Sequence, residues 1–101
     1  MSKKETIGDK FIKLYPDRIP VIVIYQNMQK NCLVKSDATM ACISVKIRRD
    51  EKINYTETLN LSIDNMAIDS KEIVSTIYSK YKNPYDGCLH IKAIREATFG
   101  K

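Results

Sequence analysis

The sequence lacks the features that would place it in a membrane or outside the cell. None of its apolar runs is long enough to cross a bilayer, and residues 1–10 are too polar for a signal peptide. It has only three cysteines, an odd number, and no CxxC pair of the kind that holds zinc. At 101 residues, the chain is therefore predicted to be one cytosolic domain with reduced thiols.

The sequence also has few residues that could do enzyme chemistry. Its single histidine, His90, is not part of an HExxH motif, and neither a GxSxG motif nor a glycine-rich phosphate loop is present. Cys88 and His90 would share a face on a strand, but a nucleophilic pair also needs an orienting group and a cleft. We therefore predict that the protein is not an enzyme, has no catalytic residue and needs no metal or cofactor.

Acidic residues are scarce in the first half of the chain. Residues 1–50 contain ten Lys and Arg against five Asp and Glu, whereas residues 51–101 contain seven of each. The net charge of +5 therefore predicts a basic surface that attracts acidic peptides, anionic membranes or nucleic acid. Nucleic acid is the weakest of these predictions: six tyrosines could stack on bases, but no RNA-binding signature is present.

What the sequence does contain is one strongly strand-forming stretch near its start. Residues 21–25, VIVIY, are β-branched or aromatic at every position, which is typical of a strand buried on both faces at the centre of a sheet. Pro16 and Pro20 require a preceding helix to end before them. That helix is predicted over about residues 5–14, with one apolar stripe that docks on the sheet: Ile7, Phe11 and Leu14.

The rest of the chain predicts a hairpin partner, two more helices and two more strands. Residues 26–31 are predicted to form a turn before a strand at 32–35. Ser36 or Asp37 would cap a helix to about Arg49, and a strand at 58–63, a helix capped by Asp69 or Ser70 and a strand at 88–93 follow. This order predicts an α+β fold of the ubiquitin-like β-grasp kind, with helices packed on a mixed four-stranded sheet. The domain would span residues 1–94 and a mobile tail residues 95–101.

Apolar spacing predicts which side chains of these later elements face the core. They are Met40, Ile43 and Ile47 in the first helix, Leu59, Leu61 and Ile63 in the strand, and Ile73, Ile77 and Tyr81 in the last helix. Cys32 and Cys42 are predicted to be small packing residues.

Short motifs along the chain resemble those of a known family. They are YPDRIPVIV at residues 15–23, LV-x-SD-x-T at 33–39, IRR at 47–49, IY at 77–78, DG-x-L at 86–89 and FG at 99–100. In this order and nearly without gaps, they resemble the ubiquitin-like modifiers of autophagy, the GABARAP and microtubule-associated light-chain family. The resemblance runs from about residue 5 to the end. The family usually begins with a further helix, for which the residues before Glu5 leave almost no room, so roles of that helix are not carried over.

The resemblance implies that the protein is a modifier conjugated to a lipid. A cysteine protease would remove Lys101, with Phe99, Gly100 and Lys101 forming the processing site. Activating and conjugating enzymes would carry the Gly100 carboxylate as an adenylate and as thioesters, and join it to the amino group of phosphatidylethanolamine. Glycine suits this route because a Cβ would hinder passage through narrow channels and attack by a nucleophile. The cytoplasmic protein would then become associated with the autophagosomal membrane.

The resemblance also implies docking of cargo receptors and other partners that carry short acidic aromatic-x-x-aliphatic motifs. Such a motif would add as a strand beside the second strand. The pocket for the aromatic side chain would use Phe11, Pro20, Ile22, Leu33 and Cys88. The pocket for the aliphatic side chain would use Cys32, Val34, Lys35, Ala38, Ile43 and Lys46. Arg18 and Arg48 match family arginines that face the conjugation enzymes and the protease.

Some residues depart from the family pattern, and two alternative functions stay open. Lys35, Ala38 and Lys46 replace a proline, a leucine and another apolar residue, and Cys88 replaces a large aromatic residue, so both pockets are predicted to be altered. The turn at 26–31 is also shorter than usual. The alternatives are an unconjugated ubiquitin-like adaptor and the protein-conjugated sibling modifier of autophagy. A residue after Gly100 argues against the sibling, because it implies processing.

Overall fold

The computed structural model describes residues 5–54 and 56–96. This part of the chain forms three helices and five strands. In chain order they are α1 (Ile7–Leu14), β1 (Arg18–Tyr25), β2 (Met28–Lys35), α2 (Met40–Glu51), β3 (Thr58–Ile63), β4 (Met66–Ala67), α3 (Val74–Tyr81) and β5 (Leu89–Glu96). The order agrees with the prediction except for β4, which was not predicted.

The five strands form one sheet in the order β2-β1-β5-β3-β4. β1 and β5 are parallel, and the other neighbouring pairs are antiparallel. The predicted ubiquitin-like α+β fold with a mixed sheet is therefore confirmed, with five strands in place of four. β1 is an interior strand, as predicted, with β2 on one side and β5 on the other, and the middle position of the five strands belongs to β5.

The hairpin of β1 and β2 is tighter than predicted. β2 begins at Met28, so the turn consists of Gln26 and Asn27, and the polar residues that follow belong to the strand. Gln26 has a φ of 55°, the left-handed conformation that two-residue hairpin turns use. The prediction missed the start of β2 because this strand lies at the sheet edge and exposes its first four residues.

One face of the sheet carries the hydrophobic core. Side chains alternate along β1, so Val21, Val23 and Tyr25 share a face and are buried, whereas Ile22 and Ile24 on the other face are partly exposed. β1 is therefore fully buried on one face, not on both as predicted. α2 and α3 cover the core face with Met40, Ile43, Ile47, Val74, Ile77 and Tyr78.

The predicted core positions are confirmed in α2 and β3 and partly wrong in α3. Met40, Ile43 and Ile47 are buried, as are Leu59, Leu61 and Ile63. In α3, Val74 and Tyr78 are buried with Ile77, and Tyr81 is only partly buried. Ile73 lies just before the helix, at its N-cap, and is exposed. Cys42 is exposed and is not the packing residue that was predicted.

α2 and α3 start later than predicted because their first turns are capped by backbone groups. Neither N-cap side chain makes a capping hydrogen bond. Instead, the Met40 N–H donates to the Glu72 carbonyl at 2.8 Å, and the Val74 N–H donates to the Ala38 carbonyl at 2.8 Å. Each helix start therefore satisfies N–H groups of the other. The prediction that Ser36 or Asp37 caps α2, and that Asp69 or Ser70 caps α3, was therefore wrong.

α1 packs through a different face from the predicted one. The apolar stripe is exposed, to 60% at Ile7, 38% at Phe11 and 71% at Leu14. Gly8 is the buried residue of the helix, and its N–H donates to the Asp86 carbonyl at 2.7 Å. Ile12 packs against the core cluster from the same side of α1. The helix thus docks on the loop before β5 and leaves its stripe on the surface.

The last strand extends beyond its predicted end. β5 continues through Arg95 and Glu96, which lie opposite Leu59 and Thr58 of β3. The Arg95 guanidinium holds the Glu57 carboxylate through Nε–Oε2 at 2.5 Å and Nη2–Oε1 at 2.8 Å. The tail predicted from residue 95 therefore cannot start before residue 97, and residues 97–101 lie outside the described part of the chain.

Candidate docking site at the sheet edge

The candidate site is built around β2. This strand pairs with β1 along its whole length, and within residues 5–54 and 56–96 no strand pairs with its other side. Its outer backbone groups are therefore open to an added strand. Asn31 and Cys32, in the middle of β2, line two separate cavities. We call them the α1-side cavity, which includes Ile7, and the α2-side cavity, which includes Ile43.

The α1-side cavity corresponds in part to the predicted aromatic pocket. It has a volume of about 140 Å³, and Ile7 of α1 lines it. Phe11 and Leu33 are not among its lining residues, although Leu33 is the β2 partner of Pro20 and lies beside it. The cavity brings together three of the five predicted residues: Pro20, Ile22 and Cys88.

Asp86, an acidic residue, lines the α1-side cavity. Its Oδ2 lies 2.6 Å from Nε2 of His90, and its Oδ1 accepts the Cys88 N–H at 2.9 Å. Burial opposes ionisation of Asp86, but these partners outweigh it and hold the pKa of Asp86 below its usual value. Burial raises the pKa of the Cys88 thiol, which therefore stays protonated and is a poor nucleophile.

The α2-side cavity corresponds in part to the predicted aliphatic pocket. It has a volume of about 220 Å³. Its lining includes three of the predicted residues: Cys32, Ile43 and Lys46. Val34, Lys35 and Ala38 are not among its lining residues. The cavity lies nearer the start of β2 and reaches further inward, since its remaining apolar wall consists of Val23, Tyr25, Met28 and Ile47.

Four charged side chains line the α2-side cavity and link β2 to α2. Lys30 Nζ lies 3.3 Å from Asp50 Oδ2 and 3.4 Å from Glu51 Oε2, and Lys46 Nζ lies 3.7 Å from Asp50 Oδ2. The Lys30 ammonium holds the pKa of Asp50 below its usual value. Partial burial lowers the pKa of Lys30, but the two carboxylates outweigh it and raise that pKa overall. Lys30 and Asp50 are therefore both charged at neutral pH.

Two like charges lie side by side at the far end of the hairpin. Arg18 and Lys35 are direct partners across β1 and β2. Neither has an acidic partner within residues 5–54 and 56–96. Like charges opposite each other destabilise a strand pair, so an acidic ligand bound at this end of β2 would relieve repulsion.

The structure places the two predicted enzyme-facing arginines in different regions of the surface. Arg18 is the first residue of β1. Arg48 lies in the last turn of α2, where its Nη1 donates to the Asn54 carbonyl at 3.2 Å. The end of α2 lies next to the start of β2, because Lys30 contacts Asp50 there. The start of β2 pairs with the end of β1, whereas Arg18 is at the start of β1. The predicted processing and conjugation residues lie outside the described part of the chain: Phe99, Gly100 and Lys101.

Sequence reasoning missed Ile7, Asp86 and the inner wall of the α2-side cavity. Ile7 lies one turn before Phe11 on the same helix face, so the spacing offered both residues for one pocket. On α2, residues 43, 46, 47 and 50 also share one face, and this spacing could have indicated a cavity between α2 and the hairpin. No sequence pattern indicated Asp86, because its position in the site depends on the conformation of the loop before β5.

Residues 5–54 and 56–96 include no group of three or more His, Cys, Asp or Glu side chains that could hold a metal ion. None of the helices in this part is long and apolar enough to cross a membrane.

Comparison with known proteins agrees with this fold and extends over nearly the whole chain. Residues 3–100 match the family described as autophagy protein Atg8, ubiquitin like. The chain is 33% identical over 105 residues to autophagy-related protein 8 of Schizosaccharomyces pombe, which spans 97% of this chain and 86% of that protein. It is 31% identical over 105 residues to autophagy-related protein 8e of Arabidopsis thaliana, with 97% and 85% covered. The crystal structure of Trypanosoma brucei ATG8 superimposes with a TM-score of 0.81 at 29% identity, covering 92% of this chain and 85% of that one.

Proposed function

This chain belongs to the Atg8 family of ubiquitin-like autophagy proteins, and we propose on that basis that it is a modifier joined to phosphatidylethanolamine through Gly100. A cysteine protease hydrolyses the peptide bond between Gly100 and Lys101. An activating enzyme uses ATP to convert the freed carboxylate to an adenylate and releases pyrophosphate. Enzyme thiols then displace AMP and carry the glycine as thioesters, until the lipid amine displaces the last thiol and forms an amide.

The central position of β5 supports a role for the residues after it in conjugation. β5 is held by β1 on one side and by β3 on the other, and the Arg95–Glu57 ion pair secures its last residues. A chain end that must reach several enzymes in turn needs a firm base and a free carboxylate. The protein is then a substrate of enzymes and not an enzyme, uses no cofactor, and reaches the autophagosomal membrane through its lipid.

We further propose that β2 binds short acidic motifs of partner proteins as an added strand. The observation that carries this proposal is an open strand edge with one cavity on each side of the sheet. Residues n and n+3 of an added strand point to opposite faces, because side chains alternate with a period of two. The two anchors of an aromatic-x-x-aliphatic motif would therefore enter one cavity each. The positive charges of Arg18 and Lys35 favour acidic flanking residues.

The first test is the intact mass of the chain after each processing step. The purified protein is incubated with the family protease, and then with the activating and conjugating enzymes, ATP and vesicles containing phosphatidylethanolamine. We expect loss of one lysine and then gain of one lipid. Retention of Lys101 and no lipid addition, alongside an active control substrate, would favour the unconjugated adaptor. Transfer to a protein in place of the lipid would favour the sibling modifier.

Replacing Gly100→Ala tests the conjugation site directly. We expect no lipid adduct, because the added Cβ hinders attack on the carboxyl carbon. The fold should be unchanged, since position 100 lies outside residues 5–54 and 56–96, which form the sheet and its helices. Thermal unfolding measured by circular dichroism provides the control. Normal lipid attachment to the Gly100→Ala protein would refute the assignment of Gly100.

Replacing Leu33→Arg tests docking at the β2 edge. A charge introduced beside Pro20 should weaken binding of an acidic motif peptide by about tenfold or more, which corresponds to about 1.4 kcal/mol or more. The matched control is Thr58→Arg, which adds the same charge at an exposed position of β3, away from β2 in the sheet. Calorimetric titration of both variants gives the comparison. Equal affinities in the two would mean that peptides bind elsewhere.

A further inference from the structure

The α2-side cavity is larger than an aliphatic side chain requires. Its volume of about 220 Å³ exceeds the 140 Å³ or so of the α1-side cavity. In a protein core, an apolar cavity of about 150 Å³ binds benzene. A leucine or valine side chain would leave part of the α2-side cavity empty, whereas an aromatic ring fits its volume.

One small side chain on β2 and one flexible side chain on α2 account for the large volume of the α2-side cavity. Cys32 ends at a single sulfur atom, and Lys46 extends to its ion pair with Asp50. Neither side chain fills the space in front of Val23 and Ile47, so these buried residues become part of the cavity wall. A ring entering between Cys32 and Ile43 would meet apolar atoms on the β1 and α2 sides of the cavity.

We propose that the α2-side cavity binds an aromatic side chain, phenylalanine or tryptophan, of an acidic peptide strand added to β2. This inference rests on the proposed docking mode and specifies its partner: the second anchor of the motif is aromatic in place of aliphatic. The peptide is acidic because Arg18 and Lys35 present positive charge side by side on the same hairpin. A ring removes more apolar surface from water than leucine does and leaves less of the cavity empty.

A set of four peptides that differ only at the second anchor tests the proposal. The anchor is leucine, valine, phenylalanine or tryptophan, and the acidic flanks and first anchor are the same. We expect phenylalanine or tryptophan to bind about tenfold more tightly than leucine in calorimetric titration, a ratio typical of a pocket that distinguishes apolar groups by size.

A matched pair of cysteine variants connects this preference to the cavity. Cys32→Leu fills the cavity mouth and should reduce the preference for a ring over leucine to near unity. Cys42→Leu makes the same change at an exposed position of α2 that does not line the cavity, and it should leave the preference unchanged. Circular dichroism and thermal unfolding verify that both variants are folded.

Alkylation by iodoacetamide provides a second readout that needs no variant. The phenylalanine peptide should slow alkylation of Cys32, as measured by peptide mass spectrometry. The exposed thiol of Cys42 serves as the internal control and should react at an unchanged rate.

The outcomes separate this inference from the docking proposal. If the leucine peptide binds as tightly as the ring peptides, or if Cys32→Leu leaves the preference unchanged, the aromatic second anchor is refuted while docking at β2 stands. If none of the four peptides binds, the docking proposal fails and this inference fails with it. A ring preference that Cys32→Leu abolishes and Cys42→Leu preserves supports the proposal.

Discussion

At the residue scale, two glycines determine how α1 attaches to the domain. Gly8 costs helix stability in isolation, and the apolar spacing of Ile7, Phe11 and Leu14 suggested a different docking face. A Cβ on Gly8 would overlap the Gly87 carbonyl group, and Gly87 itself has a φ of 69°, a conformation that favours glycine. The close approach allows the Gly8 N–H to reach the Asp86 carbonyl. α1 can thus lie this close to the loop before β5 because neither Gly8 nor Gly87 has a side chain to keep the two backbones apart.

We predict that Gly8→Ala destabilises the domain although alanine is the better helix former. Overlap with the Gly87 backbone should cost about 1–3 kcal/mol, against a gain of about 0.5–1 kcal/mol in intrinsic helix stability. Urea unfolding measures the difference. Lys10→Ala, at an exposed position of the same helix, is the control and should stay within about 0.5 kcal/mol of the parent. Greater stability in the Gly8→Ala protein would contradict the packing argument.

At the scale of elements, contacts between segments that are distant in sequence determine where helices and strands end. The first turns of α2 and α3 are capped by each other's backbone. β5 extends to Glu96 because β3 offers partners and Glu57 binds Arg95. Hydrogen bonding by Arg95 outweighs burial and lowers the pKa of Glu57, so this ion pair is present at neutral pH. The Arg95–Glu57 pair therefore acts as a clamp on the end of β5, one residue before the described part of the chain ends at Glu96.

We predict that Glu57→Gln loosens the end of β5 selectively. Hydrogen exchange at residues 94–96 should become about two- to fivefold faster, because the charged partner of Arg95 is lost. Exchange at residues 89–91, which pair with β1 at the other end of β5, should not change. Glu72→Gln, an exposed substitution outside the sheet, is the control. Uniformly faster exchange along β5 would indicate global destabilisation and contradict a local clamp.

At the scale of the whole molecule, positive charge is concentrated on the hairpin and on α2. The excess of Lys and Arg lies in residues 1–50, which include both of these elements. Lys30 and Lys46 are neutralised by Asp50 and Glu51, whereas Arg18 and Lys35 have no acidic partner among the residues that the structure describes. The open β2 edge therefore combines backbone groups, two cavities and a positive end. This combination suits an extended acidic peptide better than a neutral one.

We predict that binding of acidic motif peptides weakens as salt is added. The Debye length falls from about 10 Å at 0.1 M to about 3 Å at 1 M ionic strength, so attraction to Arg18 and Lys35 is screened. Calorimetric titration at several NaCl concentrations measures the effect. A peptide with its acidic flanks replaced by glutamine is the control and should show little salt dependence. Lys35→Gln should reduce the salt dependence of the acidic peptide, and an unchanged dependence would mean that other cations attract it.

Local pattern was sufficient to predict the fold class and much of the core. The alternation of Leu59, Leu61 and Ile63 and the helical spacing of Met40, Ile43 and Ile47 each express a period that a single buried face imposes. The run at residues 21–25 indicated a strand but not which of its faces is buried. The order of these elements predicted a ubiquitin-like fold, and ordered motifs led to the family. Three residues of each predicted pocket line one cavity, and those residues were predicted from the resemblance to the family and not from local pattern.

The tertiary structure alone decided the strand order, the length of β2, the helix caps and the shape of the cavities. β5 became central because it pairs with β1 and β3, which are far from it in sequence. Gly8 became the docking point of α1 because Gly87 lies against it. The depth of the α2-side cavity depends on what Cys32 and Lys46 leave unfilled. These features arise from contacts between distant segments, and periodicity within a segment contains no information about them.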